Sequence, residues 1–166
     1  DCQSVEDFDP QKWASIIEND IAAGYDAICF FGISEALQPV TDKGVEAGIL
    51  MYTFNTEPGN NSKRQAYYGQ SGTYGGEECG KKLEELMGGE GKYAIITGDF
   101  TVLGHEERRL GARSILDAND TLELVAEVEN NDKAEEAYTQ TQNILTANPD
   151  LKGLYVTAGG PSGAAK

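Results

Sequence analysis

The feature that most constrains the fold is the alternation of strand-like and helix-like segments along the whole chain of 166 residues. Unbroken apolar runs, which are typical of strands covered on both faces, alternate with stretches whose apolar residues recur at helical spacing. The runs predict strands at 27–31, 49–54, 93–97, 122–128 and 153–157, with a short extended segment at 67–70. Such alternation indicates an α/β fold with parallel sheets flanked by helices and joined by right-handed crossovers.

Capping residues predict where several of the helices begin. Asp9, which precedes a proline, is a favourable helix start, and Ser34 is a favourable N-cap for the next helix. Thr73 is predicted to open a third helix, and Asp132 is predicted to cap the helix that follows the strand at 122–128. These positions give the expected first residues of the helices that follow the strands.

The chain is strongly acidic, with 28 Asp and Glu, 13 Lys and Arg, and a formal net charge of −15. Nucleic-acid binding depends on clustered Lys and Arg, whereas the basic residues here occur singly or as isolated pairs. No apolar run approaches the ~20 residues of a membrane-spanning helix, and no basic-plus-apolar leader opens the sequence. We therefore expect no nucleic-acid partner, and we expect the acidic surface to keep the protein soluble and monomeric.

The three cysteines are an odd number, and their spacing fits neither a disulfide framework nor a metal motif. Cys29 lies inside an apolar run and Cys79 lies on an apolar helical face, so both are predicted to be small core residues. Cys2 lies near the start of the sequence, but because no apolar leader precedes it, we do not predict its lipidation.

The sequence lacks the patterns by which enzymes of this fold class are recognised. It has one histidine and no G-x-S-x-G turn, which argues against an α/β-hydrolase. The Gly-rich stretch at 88–92 precedes a strand, whereas a phosphate-binding loop follows one, and no G-x-G-x-x-G joins a strand to a helix. The acids beside His105 diverge on a helix, so they predict no metal site, although His105 itself is placed to line a pocket. We expect a binding protein without catalytic activity, cofactor or metal.

In an open parallel sheet, the ligand crevice lies beyond the carboxyl ends of the strands. The segments that follow the predicted strands are therefore where a site is expected, and they are 32–34, 55–57, 99–103, 130–131 and 158–160. Asp99 and Phe100 open the third of these segments, and both are candidate ligand-binding residues.

Several motifs, in their order and spacing, resemble the type I periplasmic sugar-binding proteins, the ribose-binding-protein-like group whose core fold is shared with LacI-type regulators. The motifs are DAI at 26–28, ALQPV at 36–40, EAGI at 46–49, YTFN at 52–55, GKYAIITG at 91–98, ERRLG at 107–111 and NILTANPDL at 143–151. Each motif alone has moderate specificity, but together they span essentially the whole chain.

The resemblance implies two α/β lobes joined by crossing strands, with a ligand in the cleft that the lobes form. It assigns residues 1–70 to an incomplete first lobe that ends in a crossing segment at 67–70, and residues 71–166 to a fuller second lobe. It also implies an extracytoplasmic receptor, either periplasmic or lipid-anchored at the cell surface. Such a receptor delivers a small polar ligand, with a sugar as the expected class, to the membrane permease of an ABC importer.

The resemblance further implies which residues bind the ligand. Arg108 matches the family arginine that donates to ligand oxygens from the second lobe, and a guanidinium offers five donors in a fixed fork. Asn55 stands where the family usually has an aspartate, so a neutral hydrogen bond replaces a charge-assisted one. Asn131 stands where some relatives have a stacking aromatic, and Ala158 stands where they have an asparagine. Phe100 is a candidate replacement for the missing aromatic surface.

Two other functions share this fold and stay open at this stage. A LacI-type regulator uses the same core to bind an effector, and a helix-turn-helix ahead of the core would identify it. A ligand-sensing ectodomain of a kinase or chemoreceptor would be followed by a transmembrane helix. The acidic composition and the motif at 91–98 favour the importer receptor.

Overall fold

A computed structural model describes residues 2–3, 5, 8–59 and 61–166. The predicted α/β class is confirmed, because the strands pair in parallel and alternate with helices. The chain divides into two compact units. The first unit comprises Asp1–Gln70 with Val102–Gly104, and the second unit comprises Ser71–Thr101 with His105–Lys166. None of the helices in the described ranges has the length and apolar character that a membrane span requires.

The first unit is built on a parallel sheet of order β1-β2-β3. Its elements are helix α1 (Pro10–Ala23), strand β1 (Ala27–Phe30), a 3₁₀ turn (Glu35–Leu37), helix α2 (Gln38–Glu46), and strands β2 (Leu50–Phe54) and β3 (Ala66–Tyr68). The predicted cap at Asp9 is confirmed, whereas Ser34 caps the 3₁₀ turn and α2 itself begins at Gln38 without a side-chain cap. Asp9 accepts a hydrogen bond from the backbone N–H of Gln11 at 2.9 Å, and Ser34 accepts one from that of Ala36 at 3.3 Å.

The sheet of the first unit is buried on one face and exposed on the other. Ile28, Phe30 and Met51 share a core with residues of α1 and α2, whereas most side chains that alternate with them along β1 and β2 are exposed. Cys29 is one of the exposed residues, so the prediction that it belongs to the core is wrong. An unbroken apolar run does not show whether one or both faces of a strand are covered, and here the described helices pack with one face.

The second unit is built on a parallel sheet of order β5-β4-β6. The elements from Ser71 onward are helix α3 (Gly72–Met87), strand β4 (Gly91–Thr97), helix α4 (Leu103–Leu116), strand β5 (Leu122–Glu129), helix α5 (Ala134–Ala147), strand β6 (Leu151–Val156) and helix α6 (Pro161–Ala164). The central strand β4 is buried on both faces, as its unbroken apolar run predicts. Ile95 packs with Leu116 of α4 on one face, and Ile96 packs with Ile144 of α5 on the other.

The predicted starts of α3 and α5 are wrong. The N-cap of α3 is Ser71 rather than Thr73, and its hydroxyl accepts a hydrogen bond from the backbone N–H of Tyr74 at 3.2 Å. Helix α5 begins at Ala134, and Asp132 lies outside it with a left-handed φ of 57°. Thr73 lies in the first turn of α3, and the carboxylate of Asp132 accepts from the backbone N–H of Gly159 instead of capping α5.

Cys79 is exposed on α3, so the prediction that it belongs to the core is also wrong. Leu86, on the same predicted apolar face, is 72% exposed. The residues that α3 buries are mostly small, namely Gly72, Gly75, Gly76 and Gly80, together with Met87 at its end. The helix therefore packs through its glycines and, from the predicted apolar face, through Leu83 and Met87.

Helices α3 and α4 approach each other so closely that glycine is required at the contact. A Cβ on Gly76 would lie 2.1 Å from the carbonyl oxygen of Arg108, and a Cβ on Gly111 would lie 2.3 Å from the carbonyl oxygen of Thr73. Cβ atoms do not approach backbone oxygens at such distances in close-packed interiors. The contact therefore fixes the backbone of α4 at Arg108.

Candidate functional site

Polar loops meet at the carboxyl edge of the second unit's sheet. Parallel strands place their carboxyl ends at the same edge, so the segments that follow β4, β5 and β6 lie together there. We call these segments the β4 loop (98–101), the β5 loop (130–133) and the β6 loop (157–160). They contain four of the predicted ligand-binding residues, which are Asp99, Phe100, Asn131 and Ala158.

Asn130 connects the three loops from a fully buried position. Its side-chain oxygen accepts a hydrogen bond from the backbone N–H of Asp132 at 3.1 Å, and its side-chain nitrogen donates to the carbonyl oxygen of Gly159 at 2.8 Å. Its backbone N–H donates to the carbonyl oxygen of Thr97, at the end of β4, at 2.9 Å. The sequence indicated 130–131 as a site segment, but it did not indicate that Asn130 holds the neighbouring loops.

Asp132 makes a second link among the same loops. One of its carboxylate oxygens accepts a hydrogen bond from the backbone N–H of Gly159 at 2.7 Å, and the other lies 3.7 Å from Nε2 of His105. Nδ1 of His105 accepts a hydrogen bond from the backbone N–H of Asp99 at 3.2 Å. Gly98 passes beside this pair, where a Cβ would lie 2.3 Å from the carboxylate of Asp132. These contacts join the β4, β5 and β6 loops.

The surroundings of His105 favour its neutral form. Burial lowers the pKa of His105 below its ordinary value, against the opposing effect of the nearby Asp132 carboxylate. The positive charge of Arg108 also lowers the pKa of His105, and the charge of Asp99 raises it. The net direction is downward, so at neutral pH the imidazole keeps an unprotonated nitrogen that can accept a hydrogen bond.

The neighbouring arginines of α4 have different surroundings. Arg109 donates to Glu106 at 2.8 Å and to Glu127 at 2.7 Å, and its guanidinium lies 5.4 Å from the centre of the exposed Phe100 ring. Arg108 is half-buried, and within the described residues no hydrogen bond or ion pair reaches its guanidinium. The donors of Arg108 are therefore available to a ligand, whereas those of Arg109 are engaged in holding the unit together.

The other predicted residues of the second unit are partly engaged in the loops themselves. Asp99 accepts hydrogen bonds from the N–H and the hydroxyl of Thr101 at 2.7 and 2.6 Å, so its carboxylate shapes the β4 loop. The exposed side chain of Asn131 donates to Glu136 at 2.7 Å. Ala158 is half-buried and offers a ligand only its backbone and a methyl group.

In the first unit, Asn55 follows β2 with an exposed side chain and a left-handed φ of 62°. Asparagine is one of the residues that adopt this conformation most readily. The backbone N–H of Asn55 donates to the carbonyl oxygen of Tyr68 at 3.0 Å. The hydroxyl of Tyr67 lies 2.9 Å from the carbonyl oxygen of Asn55 and 2.8 Å from that of Gln70, and its single hydrogen is shared between the two acceptors. The two tyrosines of β3 therefore fix the backbone of Asn55 and leave its amide side chain exposed.

The fold and these loops place the protein among the parallel α/β proteins. Proteins of this class bind ligands at the carboxyl ends of their strands, where this chain has hydrogen-bonding groups. Within residues 2–3, 5, 8–59 and 61–166, no group of three or more His, Cys, Asp or Glu side chains is arranged to hold a metal ion. The sequence matches the family described as periplasmic binding protein domain over residues 1–166, and the chain belongs to that family. The resemblance seen in the motifs is confirmed.

The relatives of the chain include sugar-binding proteins. A D-apiose import binding protein from Paraburkholderia graminis is 25% identical over 151 residues, which are 90% of this chain and 48% of the relative. GanP, a glucose-galactose binding protein from Geobacillus stearothermophilus, has a TM-score of 0.86 and 28% identity, with 95% of this chain and 56% of that one covered. An ABC transporter periplasmic solute binding protein from Actinobacillus succinogenes, with bound D-allose, has a TM-score of 0.82 and 29% identity, with 93% and 58% covered. The chain thus spans about half the length of the relatives it matches.

Proposed function

We propose that the protein is an extracytoplasmic solute-binding receptor of an ABC-type importer and that its ligand is a small polar molecule of the sugar class. In this proposal, residues 1–70 and 71–166 belong to two lobes that both contribute to ligand binding. Asn55 contributes from the first lobe, and Arg108 contributes from the second together with the β4, β5 and β6 loops. The names of the relatives support the sugar class, since one is described as a D-apiose import binding protein and another was solved with bound D-allose.

The observation that carries the proposal is the open guanidinium of Arg108. A sugar presents adjacent hydroxyl oxygens, and the planar fork of an arginine can donate to two of them at once. Arg109 does not compete for this role, because its donors are already directed to Glu106 and Glu127. Asp99 and Asn131 add polar groups for further hydroxyls.

The function is tested by calorimetric titration of the protein in its natural length against pentoses, hexoses and polyols. We expect one member of the panel to bind tightly, because the site offers donors and acceptors in fixed positions. A panel in which nothing binds contradicts the proposed function.

Replacing Arg108 by alanine is expected to weaken the binding of that ligand by about 10- to 100-fold, because a hydrogen bond from a charged group contributes about 1.5–3 kcal/mol. Arg108→Lys should recover only part of the affinity, since an ammonium group keeps the charge but lacks the fork. Lys82→Ala is the control, because Lys82 is an exposed residue of α3 that pairs with Glu85. Unchanged affinity in Arg108→Ala would remove Arg108 from the ligand site.

The proposal includes a location outside the cytoplasm, in the periplasm or at the cell surface, and a membrane permease as the partner. It also includes a monomeric state, which the formal net charge of −15 supports because like-charged surfaces repel one another. Light scattering on the protein in its natural length is expected to give the mass of one chain at physiological salt. A stable dimer at micromolar concentration would contradict this part of the proposal.

A further inference from the structure

His105 lies where the β4 and β5 loops meet, and it is only 9% exposed. Its two ring nitrogens face different loops. Nδ1 accepts the backbone N–H of Asp99 in the β4 loop at 3.2 Å, and Nε2 lies 3.7 Å from the carboxylate of Asp132 in the β5 loop. The first of these contacts requires an unprotonated Nδ1, because a nitrogen that carries a hydrogen cannot accept a hydrogen bond. The observed β4 loop is therefore compatible with the neutral imidazole.

Protonation of His105 would convert Nδ1 from an acceptor into a donor. The new N–H of the ring would then point at the N–H of Asp99. The two nitrogens are 3.2 Å apart, a distance that suits a hydrogen bond but not two opposed donors. The backbone N–H of Asp99 would lose its acceptor, and a partly buried donor without a partner is unfavourable. The contact of Nε2 with Asp132 would be kept, since Nε2 carries a hydrogen in both forms and an imidazolium is attracted to the carboxylate at least as strongly as the neutral ring is. Protonation is therefore expected to release the β4 loop and to keep the ring beside Asp132.

Three charged side chains act on His105, and they lie on the β4 loop, the β5 loop and helix α4. Asp132 on the β5 loop and Asp99 on the β4 loop favour the imidazolium, and Arg108, on the same helix as His105, disfavours it. The β6 loop contributes the backbone N–H of Gly159, which occupies one oxygen of Asp132 and so limits how far that carboxylate can turn toward the ring. The buried position of the ring adds to the effect of Arg108.

We propose that His105, with the Asp99 N–H and the Asp132 carboxylate, forms an acid-sensitive latch that holds the β4 loop in its ligand-binding conformation and releases it when the ring is protonated. The inference rests on the proposed function in one respect, because the loop carries Asp99 and Phe100 of the proposed ligand site. His105 is a positioning residue in this scheme and does not contact the ligand. The consequence is a receptor that holds its ligand at neutral pH and binds it more weakly in acid.

The latch is tested first without a ligand, by NMR titration of the protein in its natural length. The ring resonances of His105 and the backbone amide resonance of Asp99 are expected to move with the same midpoint, and this midpoint should lie below the ordinary pKa of histidine because the ring is buried. Asp132→Asn should move both midpoints to lower pH, since it removes the negative charge that favours the imidazolium while its side-chain oxygen can still accept from Gly159. An Asp99 amide that ignores the titration of His105 overturns the proposal.

The link to binding is tested by calorimetry across the same pH range. We expect the affinity for the sugar to fall by up to about tenfold per pH unit below the midpoint of His105, which is the limit for a single linked proton. His105→Gln keeps an acceptor for the Asp99 N–H but does not titrate, so its affinity should depend less on pH than that of the wild type. His105→Phe keeps neither property and should bind weakly at every pH.

The outcomes separate the latch from the proposed function. Binding that is tight at neutral pH and equally tight in acid contradicts the latch and leaves the receptor function intact. A protein that binds no sugar at any pH contradicts the receptor function, and the NMR titration still decides whether His105 controls the β4 loop. A His105→Gln variant with the pH profile of the wild type also contradicts the latch, because another group must then be titrating.

Discussion

Replacement of Gly76 by valine is expected to lower the free energy of unfolding by about 3 kcal/mol, at the upper end of the cost of overpacking a tight interior. The glycine faces the backbone of α4, where even a Cβ would lie 2.1 Å from the carbonyl oxygen of Arg108. That oxygen belongs to the backbone and cannot rotate away, so α3 and α4 must separate. Gly76→Ala should have a smaller effect of the same sign, because alanine adds less volume and also favours a helix more than glycine does.

The measurement is equilibrium unfolding in urea, with Glu78→Val as the matched control. Glu78 lies on the exposed side of the same helix, so valine there carries the low helix propensity of a β-branched residue without the contact to α4. We expect the control to change stability by less than about 1 kcal/mol. If the two valine variants were equally stable, the close approach of the helices at Gly76 would not be a constraint on this fold. A separation of the helices should also weaken ligand binding, because Arg108 is on the displaced segment.

The order of helices and strands was predictable because it depends on local patterns. The period of the apolar residues distinguishes a helix from a strand within a short window, and Asp9 and Ser34 satisfy backbone groups next to them in sequence. The burial of β4 agrees with its unbroken apolar run, whereas the equally apolar run of β1 is covered on one face only. The α/β class then followed from the alternation, which leaves few ways of connecting the elements.

Burial on the first sheet and on α3 was not predictable in the same way. Cys29 and Cys79 lie in apolar surroundings along the sequence, yet both are exposed in the fold. Whether a face is covered depends on which distant element packs on it, and the local pattern holds no information on that choice. The glycine-lined contact of α3 with α4 was unpredictable for the opposite reason. Glycine has a low helix propensity, so the local pattern disfavours it, and it is required here only because α4 packs closely against it.

The residues of the candidate site also differ in how far the sequence could indicate them. The topology rule alone indicated the segments that contain Asp99, Phe100, Asn131 and Ala158. The proposed roles of Asn131 and Ala158 in ligand binding came from the family resemblance and stay predictions. The choice of Arg108 came from a family resemblance, and the fold supplies a physical reason for it in the engagement of Arg109 by Glu106 and Glu127. The roles of Asn130 and Asp132 were missed, because both depend on partners 27 or more positions away along the chain.

Replacement of Asn130 by alanine is expected to lower the free energy of unfolding by about 3 kcal/mol, because each partner left unsatisfied in a buried site costs about 1–3 kcal/mol. Two backbone groups lose their partner, namely the N–H of Asp132 and the carbonyl oxygen of Gly159. The same change should loosen the β5 and β6 loops, so ligand affinity is expected to fall together with stability.

The control for Asn130 is Asn143→Ala, the same substitution at an exposed position of α5. We expect this control to stay within about 0.5 kcal/mol of the wild type in urea unfolding, as surface substitutions usually do. A loss of less than about 1 kcal/mol in Asn130→Ala would mean that water replaces the amide at little cost and that the three loops are held by other contacts. A loss of about 3 kcal/mol in the free energy of unfolding would instead show that the buried amide of Asn130 sets the geometry of the loops that carry Asp99, Asn131 and Ala158. This role can be recognised only once the positions of the strands are known.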